Sequence, residues 1–409
     1  MVKRLAAVAG KIVIITNKIF AYLKNLINNS SMKNKIVPVL PFLICAVVIT
    51  AAFSPAKKKK PVIIAYVGGF RGLINTDSIN VRRLSHINYA FVDVKDNRAW
   101  LHNEATDTIN LRKLSELKLK KPDLNILISL GGWSWSKNFS DAVLTDSSTR
   151  NFANSCIDIV ATYNLDGVDI DWEYPGMRGD NNKYRPEDRE HYTLLFKYLR
   201  EGLDSLNKIT GRKYFLTTAV GASQSYIDHT EMDKVQQYAD YINLMSYDYK
   251  GGNDTISGHH TNLYSSPDDV SDESTDRSVK AFVAAGVPRN KLVVGMGFYG
   301  KAWQMQSDDN NGLFRRTEKF TRAGGFTYLK DSLVDKNGFV RYWDEKANAP
   351  YLFNKEKKVF ITYDDEESVK QKCKYVKDND LAGVMFWEYN SDKKEYLLKT
   401  VADKFKYKN

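Results

Sequence analysis

A (β/α)8 TIM barrel with a small α+β insertion between its seventh strand and the following helix is the fold class this sequence predicts. Three observations carry the prediction. Past Lys60, eight apolar β-type runs recur with amphipathic stretches between them. Several runs are nearly continuous Ile/Val/Leu, as expected of parallel strands covered by helices. The spacing is regular except at residues 301–363, where aromatic-rich pieces interrupt it. Eight β/α units across residues 61–409 suit one large barrel, and a doubly wound open sheet is the alternative.

The first sixty residues read as an address. Residues 1–31 form an extension upstream of Met32, a plausible true start. Residues 32–56 read as a signal peptide or membrane anchor. Lys33 and Lys35 precede an uncharged run from Ile36 to Phe53, and small residues follow at Ala52, Ser54 and Ala56. The run suits either cleavage or a span, so membrane anchoring through residues 36–53 is open. Leu43 and Ile44 are too bulky for a lipoprotein signal at Cys45. Residues 57–60 are a basic linker, and the more numerous upstream cations orient the body outside the cytoplasm. An exported protein, secreted or membrane-anchored, is expected.

Charge supports this division. The chain carries a net charge of +11, with 60 basic and 49 acidic groups. Eleven of the basic groups fall in residues 1–60, which hold no acid, so the body keeps 49 against 49. A neutral body excludes a polyanionic partner such as nucleic acid. Apolar residues make up 43% of the chain, enough for a large core. Cys45, Cys156 and Cys373 offer neither a disulfide framework nor CxxC spacing, and read as buried hydrophobes.

The barrel strands are predicted at Val62–Tyr66, His86–Val92, Leu124–Leu130, Gly167–Trp172, Phe215–Val220, Tyr241–Met245, Leu292–Gly297 and Ala382–Trp387. Helices are predicted at Pro186–Leu206, with Glu187 and Asp188 in its first turn, at Asp365–Lys377 and at Lys393–Phe405. The insertion, with Phe339–Trp343 and Val359–Tyr363, should stand beside the barrel mouth and deepen a cleft.

The segment Asp166-Gly-Val-Asp-Ile-Asp-Trp-Glu-Tyr-Pro175 carries the chemistry. Side chains alternate along a strand, so Asp169, Asp171 and Glu173 share one face at Cα spacings of about 7 Å. Val168, Ile170 and Trp172 take the other face, against helices. Three acids aimed into a barrel make no sense as core; they belong to its C-terminal mouth, where such barrels build active sites. Two carboxylates about 5 Å apart repel by roughly 3 kcal/mol at an effective dielectric near 20, about two pKa units. One acid should therefore hold its proton near neutrality, as a general acid must. Glu173 is last, longest and nearest the cleft, and is the predicted donor. A metal-binding strip is the alternative, but no His joins the cluster. Neither a metal nor a cofactor is expected.

Here the sequence resembles the family 18 glycoside hydrolases, the chitinase group. Asp166 to Glu173 matches the DxxDxDxE signature, and Ser129-Leu-Gly-Gly132 the SxGG motif of the third strand. Met245-Ser-Tyr-Asp248 resembles the MxYD motif ending the sixth strand, and Trp387 the pocket-floor tryptophan of the eighth. Arg341-Tyr-Trp-Asp344 and Ala349-Pro-Tyr351 look like the insertion of deep-cleft members. The resemblance implies cleavage of β-1,4-N-acetylglucosamine linkages of chitin or chito-oligosaccharides with retention, the substrate's acetamido oxygen being the nucleophile. It implies Glu173 as acid and base, Asp171 orienting the acetamido group, Asp169 tuning Asp171, Tyr247 bonding the acetamido oxygen and Asp248 holding a distorted sugar. Substrate-binding candidates are Tyr66, Phe91, Gly132, Trp133, Met245 and Trp387, since aromatic faces stack on pyranose rings. A monomer is expected. The other readings are an endo-β-N-acetylglucosaminidase acting on N-glycans and a non-catalytic chitin-binding protein. Lectin-like relatives usually lack the terminal Glu that Glu173 supplies.

Other signals are discounted. Gly295-Met-Gly-Phe-Tyr-Gly300 fits GxGxxG but ends a late strand instead of opening an early βαβ unit. Gly221-Ala-Ser-Gln-Ser225 lacks the second glycine of a nucleophile elbow. His259 and His260 lie in a polar loop and are expected to be exposed and idle.

Overall fold

The computed structural model describes residues 60–407. The expected extension at 1–31, the leader or anchor at 32–56 with Cys45, and Lys57 to Lys59 lie outside the described residues. Among the described residues no helix is long and apolar enough to cross a membrane.

Among the described residues fourteen strands form two sheets, numbered here in chain order. β1 (Val62–Gly68) and β2 (His86–Lys95) are followed by the short β3 (Arg98–Trp100), which folds back on β2. β4 (Asn125–Gly131), β5 (Gly167–Asp171), β6 (Phe215–Gly221), β7 (Tyr241–Met245) and β8 (Leu292–Gly297) follow. β9 (Tyr299–Met305), β10 (Thr317–Gly325), β11 (Phe339–Asp344), β12 (Ala349–Asn354) and β13 (Val359–Thr362) precede β14 (Gly383–Trp387). The order β1-β14-β8-β7-β6-β5-β4-β2 is parallel throughout, and β1 also pairs with β2. That pairing closes the sheet into an eight-stranded barrel and rules out the open-sheet alternative. β1 and β2 are joined through two 3-10 turns, Thr76–Ser78 and Val81–Arg83.

Alternation along β1 divides the core. Val62, Ile64 and Tyr66 pack inside the barrel with Ala90, Ala219, Val293 and Met385. Ile63, Ala65 and Val67 face outward into the strand–helix layer. Local chemistry fixes the helices behind each strand. Asp146–Thr162 starts with a reciprocal cap between Thr145 and Ser148. Asp188–Thr210 ends where Gly211 takes a left-handed φ of 71°. Glu366–Asp378 is capped by the Asp365 carboxylate, which accepts from the Glu367 and Ser368 amides. The closing helix runs Tyr396–Lys404. Cys156 and Cys373 are free and buried.

The insertion is a separate antiparallel sheet ordered β10-β9-β13-β12-β11. It spans Tyr299–Thr362 between β8 and the helix Glu366–Asp378, close to the expected 301–363. Its own core is aromatic: Trp303, Tyr351, Phe353 and Phe360 with Met305 and Leu313.

Candidate active site

β5 delivers the acids, and its neighbours decide what each acid is. Asp169 is fully buried inside the barrel. Its Oδ2 accepts from Tyr66 Oη at 2.9 Å and Ser129 Oγ at 2.8 Å. Its Oδ1 accepts from Thr217 Oγ1 at 2.5 Å and Asn243 Nδ2 at 3.2 Å. Burial raises the Asp169 proton affinity, and the hydroxyls of Thr217, Ser129 and Tyr66 oppose the rise. Bonds to a charged group contribute about 1.5–3 kcal/mol each, enough collectively to hold a carboxylate in a core.

One step up the strand the donors run out. Asp171 is 4% exposed, and its Oδ1 is buried without a hydrogen-bond partner. Burial, then the charge of Glu173, then that of Asp169 push its carboxyl well above the usual range. Glu173 lies two residues beyond the end of β5, where the peptide to Tyr174 is cis. Burial is also the largest cause of its shift: opposed by Tyr174 and helped by Asp248, it brings Glu173 to about 7. Charge repulsion, the cause anticipated from the sequence, acts on Asp171 but ranks second to burial there. Desolvation outranks repulsion at both acids.

Ser136 fixes the chain around Glu173. Its Oγ accepts the Glu173 amide at 2.8 Å and lies within bonding reach of the Gly132 and Asp171 carbonyls at 2.8 and 3.2 Å. The paired glycines of the third barrel strand have a steric cause. Gly131 and Gly132 have φ of 103° and 74°, and a Cβ would lie 2.3 Å from the Asp171 carbonyl or 2.6 Å from the Phe91 ring.

Trp387 ends β14 and forms the centre of an aromatic floor. Phe91 and Phe70 lie near-parallel to it, with centroids at 5.4 and 6.2 Å. Tyr66 tilts against Trp387 at 6.0 Å but is itself buried, and its hydroxyl is committed to Asp169. The structure therefore puts Tyr66 beneath the floor as an anchor for Asp169. Trp133 stands 52% exposed, its ring 6.4 Å from that of Tyr174. Met245 and Tyr247 pack against the barrel-interior cluster, and the Tyr247 hydroxyl lies 3.8 Å from Met385 Sδ.

Asp248 follows on a left-handed backbone with φ 64°. Its Oδ1 receives Tyr299 Oη at 2.5 Å and Lys301 Nζ at 2.7 Å, and His260 Nδ1 stands 3.6 Å away. Desolvation would raise its proton affinity; His260 and Lys301 outweigh it and hold the carboxyl well below its usual range. Tyr299 and Lys301 belong to β9, so the insertion contributes directly to the site. Sequence reasoning missed both, and also Ser136 and Phe70. It missed the Arg71–Glu388 pair too, 2.5 Å long, which ties the segments after β1 and β14. The expectation for the histidines is corrected. His259 and His260 are buried, because β9 to β13 fold over their loop; His259 Nε2 meets Asp344 at 3.2 Å.

A closed parallel barrel with paired high-affinity acids beside an aromatic floor has the architecture of a glycosidase. Residues 62–392 match the family model for glycosyl hydrolases family 18. Chitinase A1 of Niallia circulans is 36% identical over 383 residues, covering 79% of this chain and 55% of that protein. Chitinase B of Serratia marcescens is 28% identical over 399 residues, covering 81% and 78%. A solved family 18 N-acetylglucosaminidase from Paenibacillus barengoltzii superposes with a TM-score of 0.79 at 43% identity, covering 84% of this chain and 99% of that one. The chain belongs to family 18 of the glycosyl hydrolases.

Proposed function

We propose that this chain hydrolyses β-1,4-N-acetylglucosamine linkages of chitin or chito-oligosaccharides outside the cytoplasm, with retention and help from the substrate. The observation that carries the reading is the pair of buried, high-affinity acids Asp171 and Glu173 above a fully bonded Asp169. Glu173 gives its proton to the glycosidic oxygen as the C1–O bond breaks. The 2-acetamido carbonyl oxygen attacks C1, and Asp171 accepts its N–H and balances the oxazolinium charge. Tyr247 hydroxyl donates to the acetamido oxygen, while Asp248 Oδ2 holds the distorted sugar on Trp387. Water then attacks C1, and the Glu173 carboxylate takes its proton. Phe91, Gly132, Trp133 and Met245 complete the sugar-lined mouth. The chitinases among its relatives support the substrate.

A second reading, release of single N-acetylglucosamine units, is favoured by the Paenibacillus protein described as an N-acetylglucosaminidase. Anomer-resolved product analysis on defined chito-oligosaccharides separates the possibilities. β-Anomer products at early times support retention, and α-anomers overturn it. Monomer alone from a pentamer selects the second reading. Cleavage of an N-glycan core with inert chito-oligosaccharides would instead select an endo-β-N-acetylglucosaminidase.

A further inference from the structure

His260 has no part in the reaction as written, yet its position is costly to ignore. Its side chain is buried, and neither ring nitrogen has a partner within hydrogen-bond distance, although Nδ1 approaches Asp248 Oδ1 to 3.6 Å. Burying a polar nitrogen unsatisfied costs about 1–3 kcal/mol, so a group left this way often meets its partner in another state of the molecule. The ring is tightly located. Its own amide donates to Thr362 Oγ1 at 3.2 Å, and its face tilts against Tyr299 with centroids 5.2 Å apart. A Cβ on Gly297 would come within 3.0 Å of its Cε1, so β8 leaves room for this ring. Burial lowers its proton affinity and favours a neutral imidazole, which keeps one N–H to donate. Around it stand Asp248 from the β7 segment, Tyr299 and Lys301 from β9, and Asp364 beyond β13.

All the anchoring of Asp248 converges on Oδ1. Tyr299 and Lys301 already bond it, and His260 Nδ1 waits at 3.6 Å, just beyond bonding distance. Hydrogen bonds of a site are often long in the free protein and tighten when substrate binds. We propose that His260 is a positioning residue whose Nδ1–H closes onto Asp248 Oδ1 when a sugar hydroxyl engages Oδ2. It thereby sets the carboxylate plane that holds the distorted ring. This inference rests on Asp248 being a sugar-binding residue.

The test pairs two amides of different reach. In His260→Asn the amide nitrogen stands near the place of Nδ1; in His260→Gln it stands near that of Nε2. Losing one bond to a charged group predicts about a tenfold fall in kcat/KM on chito-oligosaccharides for His260→Gln. His260→Asn should stay within about threefold of the parent on the same scale. In an Asp248→Asn background, His260→Gln should cost nothing further. A merely structural histidine would show equal losses for both amides, or losses that persist without the Asp248 carboxylate, and either result overturns the proposal. Glu173→Gln, run alongside, keeps the readings apart. If it abolishes activity while His260→Gln leaves kcat/KM intact, the positioning role fails and the hydrolase stands. If neither change matters, the acid is another group, and the assignment of this site, on which the positioning role rests, fails with it.

Discussion

Asp171 and Asp248 stand at the ends of barrel strands separated only by β6, and their surroundings drive them in opposite directions. Asp171 has a buried oxygen with no donor and two acidic neighbours, and its proton affinity climbs. The Asp248 side chain is half exposed, Lys301 and Tyr299 bond its Oδ1, and it stays an anion. Asp171 is buried without a cation, whereas Asp248 keeps water and gains Lys301, and both differences favour the anion at Asp248. One mouth can therefore keep a proton near neutrality on Glu173 at the end of β5 and present a fixed negative charge at Asp248. A substrate that needs both protonation and a firm grip on its hydroxyls meets each demand separately.

The largest break in this contrast should come from Glu173→Gln, which keeps shape and removes the transferable proton. A fall in kcat of about 10² or more is expected, with oligosaccharide affinity retained, read by steady-state rates and by calorimetry. Near-normal turnover would mean another group is the acid. In the unaltered enzyme, the donor must be protonated, so kcat/KM should decline as pH rises through about 7. Asp171→Asn comes next, at about 10²-fold in kcat, because it removes the charge balancing the intermediate. Steady-state rates on chito-oligosaccharides check it, and near-parent turnover would show that Asp171 carries no charge the reaction needs.

Lys301→Met attacks the other half of the comparison. Without its cation Asp248 rises toward ordinary carboxylate behaviour, so the acid limb of kcat/KM should shift to higher pH while the basic limb stays. At the acid end the loss should be about tenfold, the worth of one charge-assisted bond. An unshifted acid limb would leave Tyr299 and His260 as the sufficient anchors.

What could be read in advance follows the reach of each interaction. The facing of Asp169 and Asp171 needed only the two-residue period of a strand, and both barrel layers along β1 obey it. Asp169's four donors come from β1, β4, β6 and β7, and no local pattern reveals them. Two of the insertion strands hid for a related reason, while Phe339–Trp343 and Val359–Tyr363 were legible as β11 and β13. β10 has a largely exposed burial pattern and β12 is buried on both faces, so neither alternates as a half-buried strand would. His260 looked like a loop residue because its burial depends on packing between segments far apart in the chain. Two short-range signals were underused: the glycine pair beside Asp171, and Lys301, four residues beyond β8.

The smallest effect tests the rim of the mouth against its interior. Trp133 is half exposed, and its ring contact is the 6.4 Å approach to Tyr174. Truncating it opens no core, so stability should change by no more than about 0.5 kcal/mol. A stacked sugar would lose its platform before and during reaction alike, and such uniform binding affects KM without kcat. Trp133→Ala should therefore raise KM for long oligosaccharides about three- to tenfold and leave kcat within about twofold, as expected for an aromatic contact of modest worth. The rise should shrink for the shortest cleavable oligomer if the ring serves a sugar away from the scissile bond. A kcat loss at unchanged KM would instead tie Trp133 to Tyr174 and the acid beside it, and the exposed rim would then belong to the chemistry.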